Sequence, residues 1–210
     1  MNRQPMQNDA PPPRQLVLGS TSRYRSELLA RLQVPFAVAA PGVDETPLPN
    51  EAPHMMAMRL ALAKAHAVAA QFPSAIVIGA DQVADLNGLP LGKPGTHERA
   101  VAQLRMMRGQ TVVFQTAVAV VCGQTGFAQG DLAAVRVRFH ELTDGEIEHY
   151  LRTEQPYDCA GSAKSEGLGI ALLAAIESDD PTALIGLPLI RTCTLLRAAG
   201  LDVLHHRVAA

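Results

Sequence analysis

The chain has 210 residues, 48 % of them hydrophobic and 18 % charged, which is enough to bury a substantial core. Its net charge is −2 with no long basic run, which argues against a nucleic-acid partner, and its three scattered cysteines argue against a disulfide framework or zinc knuckle. No apolar run reaches the roughly 20 residues of a membrane span, and no signal-peptide pattern occurs. We therefore expect a cytoplasmic protein without a membrane partner.

The first half of the chain alternates short apolar runs with helical patterns. Residues 1–13 contain three consecutive prolines and predict a disordered leader, whereas residues 14–210 predict a single α/β domain. A helix is expected between Ser22 and Pro35, and a second, longer helix over 52–71. Buried strands are predicted over three stretches: 15–19, 36–40 and 75–80.

The second half predicts longer strands that pair with one another. Asn87-Gly88 predicts a hairpin turn within residues 83–91, and residues 170–176 fit a strand or a helix equally well. Paired strands are expected over 111–121 and 133–139. Further helices are expected over 96–108, from Thr143 onward and over 186–200. The pattern predicts an α/β fold with a mixed, twisted central sheet flanked by helices.

Polar groups follow the first and third predicted strands, where ligands of open α/β sheets bind. The stretch from Gly19 to Arg25 leads from a strand into a helix N-terminus, whose free N–H groups and dipole favour a phosphate. Asp81 ends an apolar strand, and a buried acid there favours a metal, a cation or proton transfer. Simple capping roles explain the same residues, so both interpretations stay open.

Two loops add candidates of the same kind. Lys93 lies between Gly92 and Pro94 on a stiff loop and is suited to hold a phosphate, although a solvated lysine fits equally well. Residues 158–169 crowd glycines, lysine and acids into a non-repetitive stretch, which favours a site over a flexible linker. Glu45 and Lys64 fit the same cleft or an ordinary charged surface. Such a mixture of cations and acids suits a polyphosphate with a divalent metal.

Seven short motifs resemble the landmarks of the Maf family, in the family's order, across about residues 15–200. They are Leu18–Leu29, Gly42–Glu45, Leu62–Ala65, Gly79–Val83, Leu91–Pro94, Tyr157–Gly161 and Gly186–Leu189. The resemblance implies an α/β fold of two lobes around a cleft, similar to the inosine triphosphate pyrophosphatases. It also implies hydrolysis of a nucleoside triphosphate between its α- and β-phosphates with a divalent cation, Mg²⁺ or Mn²⁺.

The resemblance also implies roles for single residues. Asp81 matches the family's proton acceptor, and Glu45 and Asp81 are the expected metal ligands. The partner is then a small nucleotide, and a homodimer is common in the family. Four further residues match positions at the phosphates or the metal: Ser20, Arg25, Lys64 and Lys93.

Three positions separate the subgroups of this family, and here they are Tyr24, Gln82 and Glu166. This set resembles the subgroup that acts on 7-methyl-GTP. The chemistry agrees, because a tyrosine face attracts the positively charged 7-methylguanine ring and a carboxylate accepts from both N1–H and the exocyclic amine of guanine. The alternatives are a pyrophosphatase for UTP, dTTP or modified pyrimidine nucleotides, and a nucleotide-binding regulator of septum formation.

Overall fold

A computed structural model describes residues 14–205, and the predicted leader over 1–13 lies outside the described residues. The chain forms seven strands: β1 (Leu16–Gly19), β2 (Phe36–Val38), β3 (Ile76–Leu86), β4 (Leu89–Leu91), β5 (Thr111–Cys122), β6 (Phe127–Phe139) and β7 (Leu173–Glu177). Its α-helices are α1 (Arg23–Ala30), α2 (Pro53–Ala69), α3 (His97–Met107), α4 (Asp144–Glu154) and α5 (Leu189–Ala198). Short 3-10 turns occur at 123–125, 160–162, 168–172 and 183–185.

The strands form one mixed sheet in the order β2-β1-β3-β5-β6-β7, with β4 paired to the far end of β3. The pairs β1–β2 and β1–β3 are parallel, and β3–β5, β5–β6 and β6–β7 are antiparallel. The predicted α/β class with a mixed central sheet flanked by helices is confirmed.

The third strand is longer than predicted, and Asp81 lies in its middle rather than at its end. Pairing with β1 stops at Gly79, but β3 continues because its other edge pairs with β5 as far as Asp85. The sequence 82–86 thus belongs to the same strand that the hairpin turn then folds back. Asp81 therefore lies just beyond the end of β1 and still inside the sheet.

Several element boundaries follow from local chemistry that the sequence shows. Asn87 and Gly88 both have positive φ, as the predicted hairpin turn requires. Thr96 and Thr143 cap α3 and α4, the latter with a complete capping box. Three expectations differ: β6 begins at 127 rather than 133, residues 170–176 divide into a 3-10 turn and β7, and α5 begins at 189.

The two faces of the sheet are covered by different helices. Val17 and Val77 face α2, whereas their neighbours Leu16 and Ile78 face α1 and α5, as strand alternation requires. The helices α3 and α4 pack with Phe114 over the far part of the sheet. Within the described residues, no helix combines the length and apolar character needed to cross a membrane.

Gly79 explains how closely α2 approaches the sheet. A Cβ atom at this position would lie 2.3 Å from Ala61 O and 2.5 Å from Ala65 N, both on the α2 backbone. Only glycine allows this approach. The close contact brings Lys64, one residue before Ala65, against Asp81 on the same strand.

Candidate active site

A cleft of about 710 Å³ opens where β1, β3 and α2 meet the loops of the second half of the chain. All the site residues predicted from the sequence line it: Ser20, Tyr24, Arg25, Glu45, Lys64, Asp81, Gln82, Lys93 and Glu166. They come from six separate segments, so the fold brings together what the sequence spreads over nearly 150 residues.

Asp81 and Lys64 form a buried ion pair at the bottom of the cleft. The Lys64 Nζ atom lies 2.6 Å from Asp81 Oδ1 and 2.7 Å from Glu45 Oε1. Lys64 and Asp81 are only 4 % and 6 % exposed, whereas the Glu45 side chain is 56 % exposed. One lysine therefore bridges a buried carboxylate and a carboxylate that reaches solvent.

The two carboxylates differ in their protonation behaviour. Burial raises the pKa of Asp81 above the ordinary aspartate value, although Lys64 and Arg25 partly oppose this. Burial also acts on Glu45, but its hydrogen bond and charge attraction to Lys64 dominate and hold the pKa of Glu45 below its usual range. Asp81 is thus the stronger base of the pair, which suits a proton acceptor.

The turn between β1 and α1 supplies hydrogen-bond donors beside this pair. Ser22 caps α1, and the Ser20 hydroxyl accepts from Ser22 N at 3.2 Å and from Arg25 Nη1 at 3.3 Å. Arg25 Nε also donates to Gly186 O at 2.9 Å. Burial lowers the pKa of Arg25, opposed by Asp81 and Glu45, so its guanidinium lies in the same electrostatic field.

Lys93 adds a third cation from the opposite loop. It is exposed, on the segment between β4 and α3, and its charge helps to lower the pKa of Glu45. The preceding Gly92 accepts from Gly161 N at 3.3 Å and from the Gln103 amide at 3.0 Å. The loop that carries Lys93 is therefore hydrogen-bonded, through the Gly92 carbonyl, to the loop over 158–169 and to α3.

The side-chain amide nitrogen of Gln82 is held in place by three hydrogen-bond acceptors. Its Nε2 donates to Thr116 Oγ1 at 2.9 Å and lies 3.0 Å from the carbonyl oxygens of Ala183 and Leu184. Carbonyl oxygens only accept, so they fix the orientation of the Gln82 amide. Thr116 is fully buried and was missed from the sequence; the one hydroxyl within the mostly apolar run 112–121 was the available signal.

The other end of the cleft is formed by Tyr24 and the loop over 158–166. Tyr24 is half-buried, and burial, followed by the nearby Cys159 and Asp158, raises its pKa. The Arg23 guanidinium lies 5.3 Å from the centroid of the Tyr24 ring, which shows that a cation can rest on this ring. Glu166 is exposed at the same end.

Cys159 gives this end a neutral thiol among acids. Burial, Asp158 and Glu166 together raise the pKa of Cys159 to about 12, so the thiol stays protonated at neutral pH. The sequence flagged the segment from 158 to 169 but did not single out Asp158 or Cys159. Both line the cleft.

The loop over 158–169 is anchored, which excludes the flexible-linker interpretation. The Tyr150 hydroxyl donates to Ser162 O at 3.1 Å and accepts from Lys164 N at 3.0 Å. The Lys164 ammonium pairs with Glu154 rather than with the cleft. This leaves Asp158 and Glu166 as the charged side chains that the loop presents to the cleft.

The carboxylates of Glu45 and Asp81 suit a hard divalent cation. Among residues 14–205, no three His, Cys, Asp or Glu side chains form a metal-binding cluster. Mg²⁺ commonly binds through one or two carboxylates, with waters and substrate phosphates completing its shell. Two carboxylates facing a cleft that Arg25, Lys64 and Lys93 also line fit that pattern, with Lys64 between them.

Comparison with known proteins places this fold and cleft in a family. The Maf-like protein family matches residues 15–199, and the chain belongs to it. Two similar curated proteins are named 7-methyl-GTP pyrophosphatase. The protein from Polaromonas sp. is 75 % identical over 94 % of this chain and 90 % of its own length. The protein from Albidiferax ferrireducens is 69 % identical over 91 % of this chain and 96 % of its own length. A protein of the same name from Burkholderia pseudomallei is 60 % identical over 93 % of this chain and 92 % of its own length.

Proposed function

We propose that this protein hydrolyses 7-methyl-GTP to 7-methyl-GMP and pyrophosphate. The observation that carries the proposal is a single cleft with a buried Asp81–Lys64 pair at one end and Tyr24 with Glu166 at the other. The names of relatives up to 75 % identical support the same substrate. The family match over 15–199 supports a single domain over 14–210.

In this mechanism Asp81 accepts the proton of the attacking water. Burial raises its pKa, which makes the ionised carboxylate a better base than that of an exposed aspartate. The cations of Arg25, Lys64 and Lys93 stabilise negative charge that develops on the phosphate oxygens. Ser20 holds the Arg25 guanidinium in place through its hydroxyl.

A divalent cation, Mg²⁺ or Mn²⁺, would bind at Glu45 and Asp81. When bound, it would supply additional positive charge for the phosphates and help to position them. Lys64 contacts both carboxylates, so the lysine and the cation would share these ligands. The hard oxygen donors favour Mg²⁺ or Mn²⁺ over softer transition metals.

Base recognition is assigned to Tyr24, Gln82 and Glu166. The Tyr24 ring would stack on the cationic 7-methylguanine ring in the way that it already contacts the Arg23 guanidinium. Glu166 would accept from the two guanine donors. The amide of Gln82, fixed by Thr116 and two carbonyls, presents its remaining oxygen as a further acceptor.

Two further assignments concern location and assembly, and the second comes from the family resemblance. We assign the protein to the cytoplasm, in line with its proposed nucleotide substrate. A homodimer stays a prediction. Gel filtration with light scattering tests it, and a single species of monomer mass would contradict it.

The proposed function is tested by a substrate panel. Purified protein is incubated with Mg²⁺ or Mn²⁺ and 7-methyl-GTP, GTP, UTP, dTTP or CTP, and pyrophosphate and orthophosphate are measured separately. We expect pyrophosphate from 7-methyl-GTP at the highest kcat/KM. A preference for UTP or dTTP would overturn the base assignment, and nucleotide binding without hydrolysis would favour a regulatory role.

A further inference from the structure

The segment 183–186 contributes backbone carbonyls rather than reactive side chains to the cleft. Gly186 O accepts from Arg25 Nε at 2.9 Å, and the carbonyls of Ala183 and Leu184 each lie 3.0 Å from Gln82 Nε2. This one short segment therefore orients both Arg25, which is assigned to the phosphates, and Gln82, which is assigned to base recognition.

Gly186 fixes the direction of the carbonyl that Arg25 uses. Its φ is +125°, a conformation that residues with a side chain rarely adopt. A small rotation of this residue would turn its carbonyl away from the guanidinium. The segment must therefore be held from outside if Arg25 is to keep its position.

Thr182 provides that restraint. Its hydroxyl accepts from Leu189 N at 2.8 Å, and its single proton is shared between Leu187 O at 2.8 Å and Asp180 Oδ1 at 3.1 Å. The hydroxyl therefore closes the loop from the residue before the segment to the first turn of α5. One hydroxyl thus connects both ends of the segment.

Asp180 in turn fixes Thr182 to the body of the protein. It is fully buried, and its Oδ2 accepts from Arg191 N at 3.1 Å. The Arg191 side chain donates to Leu132 O on β6 at 3.0 Å. A hydrogen-bonded network anchored on a buried carboxylate favours one conformation.

We infer that Thr182, supported by Asp180, is a positioning residue that orients Arg25 and Gln82 through the carbonyls of segment 183–186. The inference rests on the proposed function for its substrate. Neither residue lines the cleft itself, so their effect on the reaction passes through the segment.

The test compares Thr182→Val, which removes the hydroxyl at constant shape, with Thr182→Ser, which keeps it. Thr125→Val is the matched control, because the Thr125 hydroxyl also donates to a carbonyl, Cys122 O, and accepts from a backbone amide, Phe127 N, but lies outside the cleft lining. We expect kcat/KM for 7-methyl-GTP to fall about tenfold in Thr182→Val, with near-normal values in Thr182→Ser and Thr125→Val. Thermal melts and circular dichroism confirm that each variant is folded at the assay temperature.

A double-mutant cycle identifies the route of the effect. In an Arg25→Lys background, Thr182→Val should cause a much smaller further loss than in the wild type, because the group that Thr182 positions is already changed. Full additivity of the two losses, or equal losses in Thr182→Val and Thr125→Val, would overturn the inference.

Binding of inorganic triphosphate, measured by calorimetry, separates this inference from the proposed function. If the wild type does not hydrolyse 7-methyl-GTP, the proposed function fails while the positioning role is still tested by this affinity. We expect Thr182→Val to bind triphosphate several-fold more weakly than Thr182→Ser. Equal affinities of the two variants, or no binding by the wild type, would contradict the positioning role.

Discussion

The two ends of the cleft are built in different ways. At the phosphate end, Lys64 and Asp81 lie on a long helix and a central strand, are buried, and contact each other at 2.6 Å. At the base end, Asp158 and Glu166 lie on a loop and are exposed. The buried pair thus sits on regular elements, whereas the exposed acids at the other end sit on a loop, where sequence changes are tolerated more easily.

Replacing Asp81 by asparagine should cause the largest loss of activity among the changes at the phosphate end of the cleft. We expect kcat to fall about a thousandfold, because general-base catalysis contributes roughly 10²–10⁴. The melting temperature should stay constant or rise, since burial raises the pKa of Asp81 and the ionised carboxylate is therefore unfavourable in the folded state. Glu141→Gln, at an exposed acid outside the cleft, is the control. A lower melting temperature in Asp81→Asn with proportional activity loss would contradict a catalytic role.

Removing the charge of Lys64, at the same end of the cleft, should shift the pH dependence of kcat/KM. Lys64 lowers the pKa of Asp81, so Lys64→Met raises that pKa further, and the acid limb of kcat/KM moves to higher pH. At neutral pH we expect roughly a hundredfold loss, partly recovered under alkaline conditions. Lys64→Arg keeps the charge and should keep the limb near its wild-type position. If the acid limb were unchanged in Lys64→Met, Asp81 would not be the base whose titration produces that limb.

A smaller, selective effect is expected from Glu166→Gln at the base end. The variant loses one acceptor and the negative charge, so kcat/KM for 7-methyl-GTP should fall about tenfold or more, and its ratio to GTP should fall as well. Glu177→Gln, an exposed acid on β7, is the matched control. The product should remain pyrophosphate. An equal loss with all five nucleotides would place Glu166 outside base recognition.

The smallest expected effect is that of Tyr24→Leu. A cation–π contact contributes about 0.5–2 kcal/mol, which corresponds to a two- to thirtyfold loss in kcat/KM for 7-methyl-GTP. GTP, which lacks the fixed positive charge, should lose less. Tyr24→Phe keeps the ring and should keep most of the preference. If Tyr24→Phe and Tyr24→Leu behaved alike, the ring face would not be the recognition element.

The fold class could be predicted from local signals in the sequence. The nine predicted site residues, all of which line the cleft, were predicted from motifs that resemble the Maf family. Asn87-Gly88, Thr96 and Thr143 are turn and capping residues, and their effect is local. The length of β3 is different, because it depends on pairing with β5, whose register no local pattern gives. Asp81 was therefore placed at a strand end when it lies inside the sheet.

The residues that hold Arg25 and Gln82 in place were harder to predict, because their contacts form only when the chain folds. Thr116 contacts Gln82, 34 residues away in sequence, and Thr182 contacts Leu189 across a loop that no residue pattern predicts. Each looks like an ordinary threonine in its own segment. The role of Gly186 likewise depends on Arg25, which precedes it by 161 residues. Only the assembled structure shows that these residues share one site.

A competition assay tests most directly whether one cleft combines pyrophosphate release with recognition of a cationic base. Equal concentrations of 7-methyl-GTP and GTP are mixed with the wild-type protein and Mg²⁺, and all products are followed by mass spectrometry. We predict that 7-methyl-GMP and pyrophosphate appear together, well before GMP. Equal consumption of both nucleotides, or 7-methyl-GDP with orthophosphate as the first products, would contradict the account.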